Sequence, residues 1–239
     1  MKQGIGLFGA AAVLCVGAGA AVAQPLWAFN QQGRGVYFEA IADSRNASPP
    51  GTIDTADNDA SAPNFDPFDV RFTEAAQSEF ALASVDLGQS SVLGDRKLEY
   101  ASDITVTTAE DAPGAFSEVV AGSDFYAFAE VFPAGQETRL TGFVEITGDL
   151  GYAEVQVMVL GSDGFSFTAS LDAAGRIDIN EVFTLPDDEE FEFIANLIAE
   201  SGGNSSGSVA AAFTLEPTPA PSGLAVLGLG ALGAVRRRR

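Results

Sequence analysis

The sequence contains no histidine and a single cysteine, Cys15, among its 239 residues. Without histidine the chain has no Ser-His-Asp or Cys-His catalytic pair and no imidazole ligand for a metal. One cysteine excludes an internal disulfide and a thiolate zinc site. Basic residues are also scarce, because 12 Lys and Arg stand against 33 Asp and Glu, for a net charge of −21. Phosphate contacts need clustered Lys and Arg, so this composition argues against nucleic-acid binding.

The N-terminal segment has the three parts of a secretory signal. Residues 1–23 begin with the basic Lys2, continue as an apolar run, and end in the small residues Ala21, Val22 and Ala23. This pattern predicts a signal helix that signal peptidase removes by cutting before Gln24. The alternative is an uncleaved membrane anchor, since the run approaches the roughly 20 residues of a bilayer span. The Gly and Ala content and the Ala-x-Ala ending favour cleavage, which would leave the mature chain without a thiol.

The C-terminal segment combines a proline spacer, a short apolar run and a basic end. Pro217, Pro219 and Pro221 form the spacer, and the 13 residues of 223–235 are apolar. The chain ends in Arg236, Arg237, Arg238 and Arg239. The run is short for a transmembrane helix of about 20 residues, and the arginines would hold its end on the cytoplasmic side. We therefore predict a short hydrophobic helix that anchors the precursor transiently in the inner membrane, analogous to a GPI signal.

These C-terminal features resemble the PEP-CTERM sorting signal of Gram-negative bacteria. The stretch 223–232, GLAVLGLGAL, resembles the form common in planctomycete-type proteins, and Pro219-Ala220-Pro221 stands where the family has Pro-Glu-Pro. The resemblance covers residues 217–239 only. It implies that an exosortase, a membrane cysteine protease, recognises the tail. It also implies that the mature protein is associated with exopolysaccharide or a biofilm matrix.

The segment between the two ends is acidic and follows a period of two. Residues 24–220 hold all 33 acids and only seven bases, a net charge of −26. Alternating apolar and polar residues over short segments, separated by Gly, Pro and Asp turns, are typical of strands with one buried face. Such segments are 35–43, 69–73, 79–86, 102–108, 124–132, 139–147, 153–159, 165–171, 177–184 and 209–215. We predict one all-β domain over 24–216, an antiparallel β-sandwich of jelly-roll or Ig-like type.

Two segments depart from this pattern. Residues 187–201 carry helix signals, with Pro186 before an acidic first turn and Gly202 at the end. The same residues alternate as a strand, and the resemblance to PEP-CTERM proteins favours a hairpin in which a loop over 202–208 leads into a last strand. Residues 44–67 have no periodicity and are rich in Pro, Asp, Asn and Ser, which predicts a long irregular loop.

That loop contains the candidate metal ligands. Asp54, Asp57 and Asp59 lie close together in it, with Asp66 and Asp69 just beyond. Calcium takes several oxygen ligands from a flexible segment, so the first three are candidate Ca²⁺ ligands. Their spacing does not match an EF-hand loop, and the alternative is a solvated acidic loop that binds no ion. No other cofactor is expected.

Aromatic residues are the candidates for a sugar platform. They are Trp27, Tyr37, Tyr100, Tyr126 and Tyr152. With 18 Phe and few Trp or Tyr, the composition favours core packing, whereas a sugar platform needs an exposed ring with a polar group. Trp27 is the exception, because it lies near the expected mature N-terminus outside a clear strand.

The functional prediction follows from targeting and from the lack of catalytic motifs. No Ser or Lys lies in a recognisable nucleophile motif, and among 33 acids any carboxylate pair is uninformative. We expect an exported, non-catalytic cell-surface or matrix protein, sorted by an exosortase-type system. The alternatives are a carbohydrate-binding or calcium-dependent adhesion module, and a secreted hydrolase that uses carboxylates alone.

Overall fold

The computed structural model describes residues 27–131, 136–161, 164–185 and 190–218. Over these residues the chain is built from β-strands, which confirms the all-β prediction. The strands are β1 Trp27–Asp43, β2 Ile53–Ser61, β3 Phe68–Gln77, β4 Ala81–Leu93, β5 Leu98–Glu110, β6 Phe116–Val131, β7 Gln136–Asp149, β8 Tyr152–Gly161, β9 Ser166–Leu171, β10 Gly175–Leu185, β11 Glu190–Gly202 and β12 Ser205–Pro217. The described ranges contain no helix that could cross a membrane. The predicted signal helix and C-terminal helix lie outside these ranges.

The strands form two six-stranded antiparallel sheets that pack face to face. Sheet A has the order β2-β1-β6-β11-β8-β9, and sheet B has the order β10-β7-β12-β5-β4-β3. Contacts between the sheets join β1 to β4, β6 to β5 and β11 to β12. The predicted antiparallel sandwich is therefore present.

The last eight strands follow jelly-roll order. β5 pairs with β12, β6 with β11, β7 with β10 and β8 with β9. This part of the chain is one long hairpin folded over, so that successive pairs fall in alternate sheets. The first four strands extend both sheets beyond β6 and β5. Of the two sandwich types predicted, the strand order is that of the jelly roll.

Aromatic side chains join the two sheets at the centre of the core. Tyr100 and Phe213 of sheet B stack at 4.8 Å between ring centroids, and Phe125 and Phe193 of sheet A meet edge to face at 5.6 Å. Tyr100 also contacts Phe125 at 4.9 Å, and Phe193 contacts Phe213 at 4.7 Å. Each fully buried ring contributes roughly 1.5–3 kcal/mol through the removal of apolar surface from water. Period-two alternation produces this cluster, because every second residue of each strand points inward.

A buried polar network lies beside these rings. Gln89 Nε2 of sheet B donates hydrogen bonds to Ser123 Oγ (3.0 Å) and to the Asp124 carbonyl (2.8 Å) of sheet A. Tyr100 Oη shares a 3.0 Å hydrogen bond with the same Ser123 hydroxyl. Burial is the main cause that raises the pKa of Tyr100 to about 12. These hydrogen bonds join the two sheets through buried polar groups, and breaking one would leave a buried polar group unpaired at a cost in stability.

The prediction of an irregular loop over 44–67 is wrong for residues 53–61, which form the edge strand β2. Nine residues of β2 pair with β1, from Gly35 opposite Ser61 to Asp43 opposite Ile53. An edge strand packs little of its inner face, and here only Ala56 and Ala60 lie against the core. The strand therefore carries no periodic signal in its sequence.

The connection that follows β2 is held by a buried arginine. Arg34 is 2% exposed, and its guanidinium donates to the carbonyls of Asn64 and Asp66 and to Ser91 Oγ. Burial lowers the pKa of Arg34, and the charge of Asp66 offsets part of that effect. The connection is held against the sandwich by hydrogen bonds from Arg34 to the backbone carbonyls of Asn64 and Asp66. Contacts to backbone carbonyls leave no pattern in the sequence.

The strand prediction is confirmed by β11 for residues 190–201, while 187–189 lie outside the described residues; the predicted hairpin is wrong. β11 pairs with β6 and β8 in sheet A, whereas β12 pairs with β5 and β7 in sheet B. The predicted loop over 202–208 is also shorter, since only Gly203 and Asn204 separate the strands. Gly203 has a φ of +71°, a conformation that glycine adopts without strain, and the chain changes sheet there.

Candidate binding face on sheet A

The two outer faces of the sandwich differ in charge. Carboxylates project from every long strand of sheet A: Glu39, Asp57, Asp59, Glu118, Asp124, Glu130, Glu154, Glu190, Glu192 and Glu200. The bases in the described part of the chain lie elsewhere, apart from Arg45, which pairs with Asp43 at the end of β1. Arg34 points into the core. The outer face of sheet A therefore carries acids without basic partners over most of its width.

The outer face of sheet B pairs several of its acids with arginines. Arg71 lies across three strands and contacts Asp86 at 2.7 Å and Asp103 at 3.2 Å. Arg176 contacts Glu145 and Asp178, and its guanidinium lies 4.0 Å from the ring centroid of Phe143. A broad, shallow groove of about 530 Å³ on the same face is lined by Asp69, Ser90, Val92, Glu99, Ala101, Ala212 and Thr214, among others.

Tyr37 lies flat on the outer face of sheet A. Its ring covers Gly122 of the neighbouring strand β6, where an added Cβ would collide with the ring carbon Cζ. Tyr37 is nevertheless 41% exposed, so the opposite face of the ring meets solvent. Burial of its inner side is the main cause that raises the pKa of Tyr37, followed by the charges of Asp124 and Glu200. The glycine is thus the reason that a tyrosine can lie against the sheet here.

A second exposed tyrosine lies across the sheet on β8. Tyr152 is 45% exposed, and its Oη donates a 2.5 Å hydrogen bond to Glu154 Oε2. That hydrogen bond is the main cause that raises the pKa of Tyr152; the charges of Glu154, Glu200 and Asp172 also contribute. The ring borders a cavity of about 360 Å³ lined by Tyr152, Glu154, Gln156, Ser170, Leu171 and Asp172.

Glu200 lies between the two tyrosines. In the register of sheet A, Glu200 of β11 is opposite Tyr152 on one side and Val120 on the other. Its charge raises the pKa of both Tyr37 and Tyr152. Asp124 lies beside Tyr37 on β6, and although its side chain reaches solvent, desolvation raises its pKa. Two rings and several carboxylates therefore share one surface.

The candidate calcium ligands do not converge. Asp54, Asp57 and Asp59 all lie on β2, but successive residues of a strand point to opposite faces. Asp57 and Asp59 project outward, while Asp54 accepts a 2.9 Å hydrogen bond from the backbone amide of Gln77 on β3. The described residues contain no group of three or more carboxylates arranged for a metal ion. The three aspartates therefore do not make the single oxygen cage that calcium needs.

The candidate aromatics divide differently from the expectation. Tyr100 is in the core as expected, but Trp27, expected as the exception, is also buried and packs edge to face on Phe191 at 5.9 Å. Tyr37 and Tyr152 are the exposed rings, contrary to the core assignment. Tyr126 is half-buried on the same outer face and donates to Gln31 Oε1. Sequence alone could not separate these cases, because exposure depends on which neighbours flank each ring across the sheet.

The predicted targeting residues lie mostly outside the described part of the chain. This applies to the cleavage residues Ala21, Ala23 and Gln24 and to Pro219, Pro221 and Arg236–Arg239. Pro217 is inside it, as the last residue of β12 opposite Thr138. The following Thr218 still donates its backbone amide to the Glu137 carbonyl at 2.8 Å. The start of the proline spacer is therefore part of the folded domain.

Comparisons with known proteins give no family. The chain matches no protein-family model and no curated protein. A structure of TmCBM61 in complex with β-1,4-galactotriose is 13% identical, covers 46% of this chain and 74% of its own, and gives a TM-score of 0.27. The enzymatically active domain of bacteriophage CBA120 tailspike protein 4 is 10% identical over 56% of this chain and 19% of its own, with a TM-score of 0.25. A structure of infectious bursal disease virus Gt strain is 9% identical over 85% and 79%, with a TM-score of 0.18. At these TM-scores the similarities carry no argument about function.

Proposed function

We propose that this chain is an exported, non-catalytic cell-surface or extracellular-matrix protein whose tail is sorted by an exosortase-type system. The observation that supports the proposal is the position of the fold between the two predicted targeting segments. β1 begins at Trp27, a few residues after the expected cleavage site, and β12 ends at Pro217, where the proline spacer begins. A domain bounded in this way fits a mature protein from which both ends are removed.

The location of Pro217 and Thr218 decides how the tail is tested. Both residues contact β7, so a truncation before them would damage the sheet as well as the sorting signal. Truncation after Thr218 removes the remaining prolines, the apolar run and the arginines while leaving the ladder intact. We expect this variant to be exported but to lose its normal cellular location.

The measurement is mass spectrometry of the protein recovered from cell fractions and medium. The full chain should be recovered without residues 1–23 and without its C-terminal arginines. Val182→Ala, which alters an exposed residue of sheet B, is the control and should be processed in the same way. Unchanged location and processing after truncation at Thr218 would contradict the sorting proposal. An N-terminus that still includes Met1 would contradict the export proposal.

A second candidate function, carbohydrate binding, is favoured by one observation on sheet A. Tyr37 presents one face of its ring to solvent while Gly122 supports the other, and Tyr152 is exposed on the same surface. An aromatic ring that lies flat and keeps a polar hydroxyl suits stacking against a sugar ring. Glycan-array binding by the full chain, lost in Tyr37→Ala and retained in Val182→Ala, would support this function; equal binding by both variants would contradict it.

A further inference from the structure

The outer face of sheet A combines exposed aromatic rings with negative charge. We propose that this face binds a cationic amino-sugar polymer, a proposal that rests on the carbohydrate-binding function above. Two independent features carry it. One is the pair of exposed rings, and the other is the array of carboxylates with no basic partner over most of this described face.

The two rings lie in rows of the sheet that are offset by two residues. The row of Tyr37 crosses β8 at Glu154, two residues from Tyr152. Tyr37 is on β1 and Tyr152 is on β8, separated by β6 and β11. Three strand spacings and two residues along the strand place their backbones about 16 Å apart. The Tyr37 ring extends over Gly122 toward β11, and Glu200 of β11 lies directly opposite Tyr152. An extended oligosaccharide lying obliquely across the strands would meet the Tyr37 ring, the Glu200 carboxylate and the Tyr152 ring in turn.

The charge of this face distinguishes among glycans. A polymer of uronic acids would be repelled by Asp124, Glu154 and Glu200, which lie beside the rings. A neutral polymer would gain ring stacking but would leave the carboxylates without a cationic partner. A polymer with protonated amines gains the stacking, charge-assisted hydrogen bonds to the carboxylates, and attraction of its cations to the tyrosine faces. The uncompensated negative field would also speed its approach.

The test is calorimetry of the full chain with four probes at mildly acidic pH. They are a glucosamine hexasaccharide, its fully N-acetylated form, a galacturonate hexasaccharide and hexalysine. We expect the glucosamine oligomer to bind about tenfold more tightly than the acetylated form, and the galacturonate not to bind. Added salt should weaken the binding of the glucosamine oligomer more than that of the acetylated form.

Variants assign the binding to this face. Tyr37→Ala and Tyr152→Ala should each weaken glucosamine binding about tenfold, as truncation of an aromatic anchor does. Glu200→Gln should reduce the preference for the charged oligomer without abolishing acetylated-oligomer binding. Val182→Ala and Glu99→Gln, which alter exposed residues of sheet B, are the matched controls and should bind as the unmodified chain does.

Each other outcome overturns the proposal in a distinguishable way. Equal or tighter binding of the acetylated oligomer would contradict the charge selection and leave carbohydrate binding intact. No binding of any sugar would contradict both. Hexalysine that binds as tightly as glucosamine and is insensitive to Tyr37→Ala would show a general attraction for cations or basic peptides, and not a glycan site.

Discussion

Tyrosine residues show how differently one residue type behaves in this sandwich. Tyr100 lies in the core and shares a hydrogen bond with Ser123, whereas Tyr37 and Tyr152 lie on the outer face of sheet A. Burial holds the Tyr100 phenol neutral, and nearby carboxylates favour the neutral phenol at the surface. The same side chain is thus a structural link in one place and a candidate contact surface in another.

Tyr100 predicts how stability depends on alkaline pH. Its pKa is raised to about 12, above the unfolded value of 10. The folded state therefore holds this proton more tightly, and its contribution is present below about pH 10 and lost as the pH rises toward 12. Because it removes the hydrogen bond to Ser123, Tyr100→Phe should lower the free energy of unfolding by about 1 kcal/mol at neutral pH. The variant should also lose less stability than the unmodified protein as the pH rises from about 10 to 12. Urea unfolding of both proteins at several pH values from neutral to pH 12 measures these free energies. If the free energy of unfolding falls equally with pH in the unmodified protein and in Tyr100→Phe, the prediction is wrong.

Gly122 predicts the position of the Tyr37 ring. Gly122→Ala places a methyl group where the ring lies, so we expect the ring to lift from the sheet. The measurable result is loss of the NMR cross-peaks between the Tyr37 ring and residue 122. Gly202→Ala, at the exposed end of β11, is the control and should leave those cross-peaks unchanged. Retention of the cross-peaks in Gly122→Ala would show that the ring does not lie on the glycine.

At the scale of elements, alternation identified the interior strands and missed an edge strand. β11 has helix signals at its start, yet every second residue from Phe191 to Ala199 is buried. Neighbours on both sides, β6 and β8, pair with it over most of its length, and that pairing outweighs local helix preference. β2 packs only Ala56 and Ala60 against the core, so polar residues fill the rest of it and the alternation of apolar and polar residues disappears.

The core aromatic cluster gives a stability prediction for β11. Phe193→Ala removes a fully buried ring that contacts both sheets, and should cost about 3–5 kcal/mol. Phe116→Ala removes a ring that is 47% exposed at the start of β6 and should cost less than about 1 kcal/mol. Chemical denaturation of both variants checks the difference. Similar losses in the two would place Phe193 outside the cooperative core.

At the scale of the whole molecule, the sandwich separates its charges by face. Sheet B neutralises acids with Arg71 and Arg176, and sheet A leaves most of its carboxylates unneutralised. Such a distribution keeps a protein soluble and costs stability through self-repulsion. The net charge of the chain, −21, therefore describes neither face.

This asymmetry predicts opposite effects for two neutralising substitutions. Glu39 on β1 is directly opposite Asp57 on β2, so Glu39→Gln should stabilise the protein by a few tenths of a kcal/mol, because like charges across a strand pair repel. Asp86→Asn on sheet B breaks an ion pair with Arg71 and should destabilise it by up to about 1 kcal/mol. Thermal melts at low and high salt test this, since screening should shrink both effects. If both substitutions stabilised the protein, or both destabilised it, the proposed separation of charge between the two faces would be contradicted.

The sequence by itself determined the class of fold, because period-two alternation over short segments has one physical cause: strands that bury one face. It also determined the acidity of the domain and the positions of the candidate targeting segments, which depend on composition and order alone. Tertiary structure decided what depends on neighbours. It placed β11 and β12 in different sheets, separated Asp54 from Asp57 and Asp59, and gathered Tyr37, Glu200 and Tyr152 from three strands distant in the chain. Those arrangements follow from strand order across the sheets, which the spacing of residues along the chain does not encode.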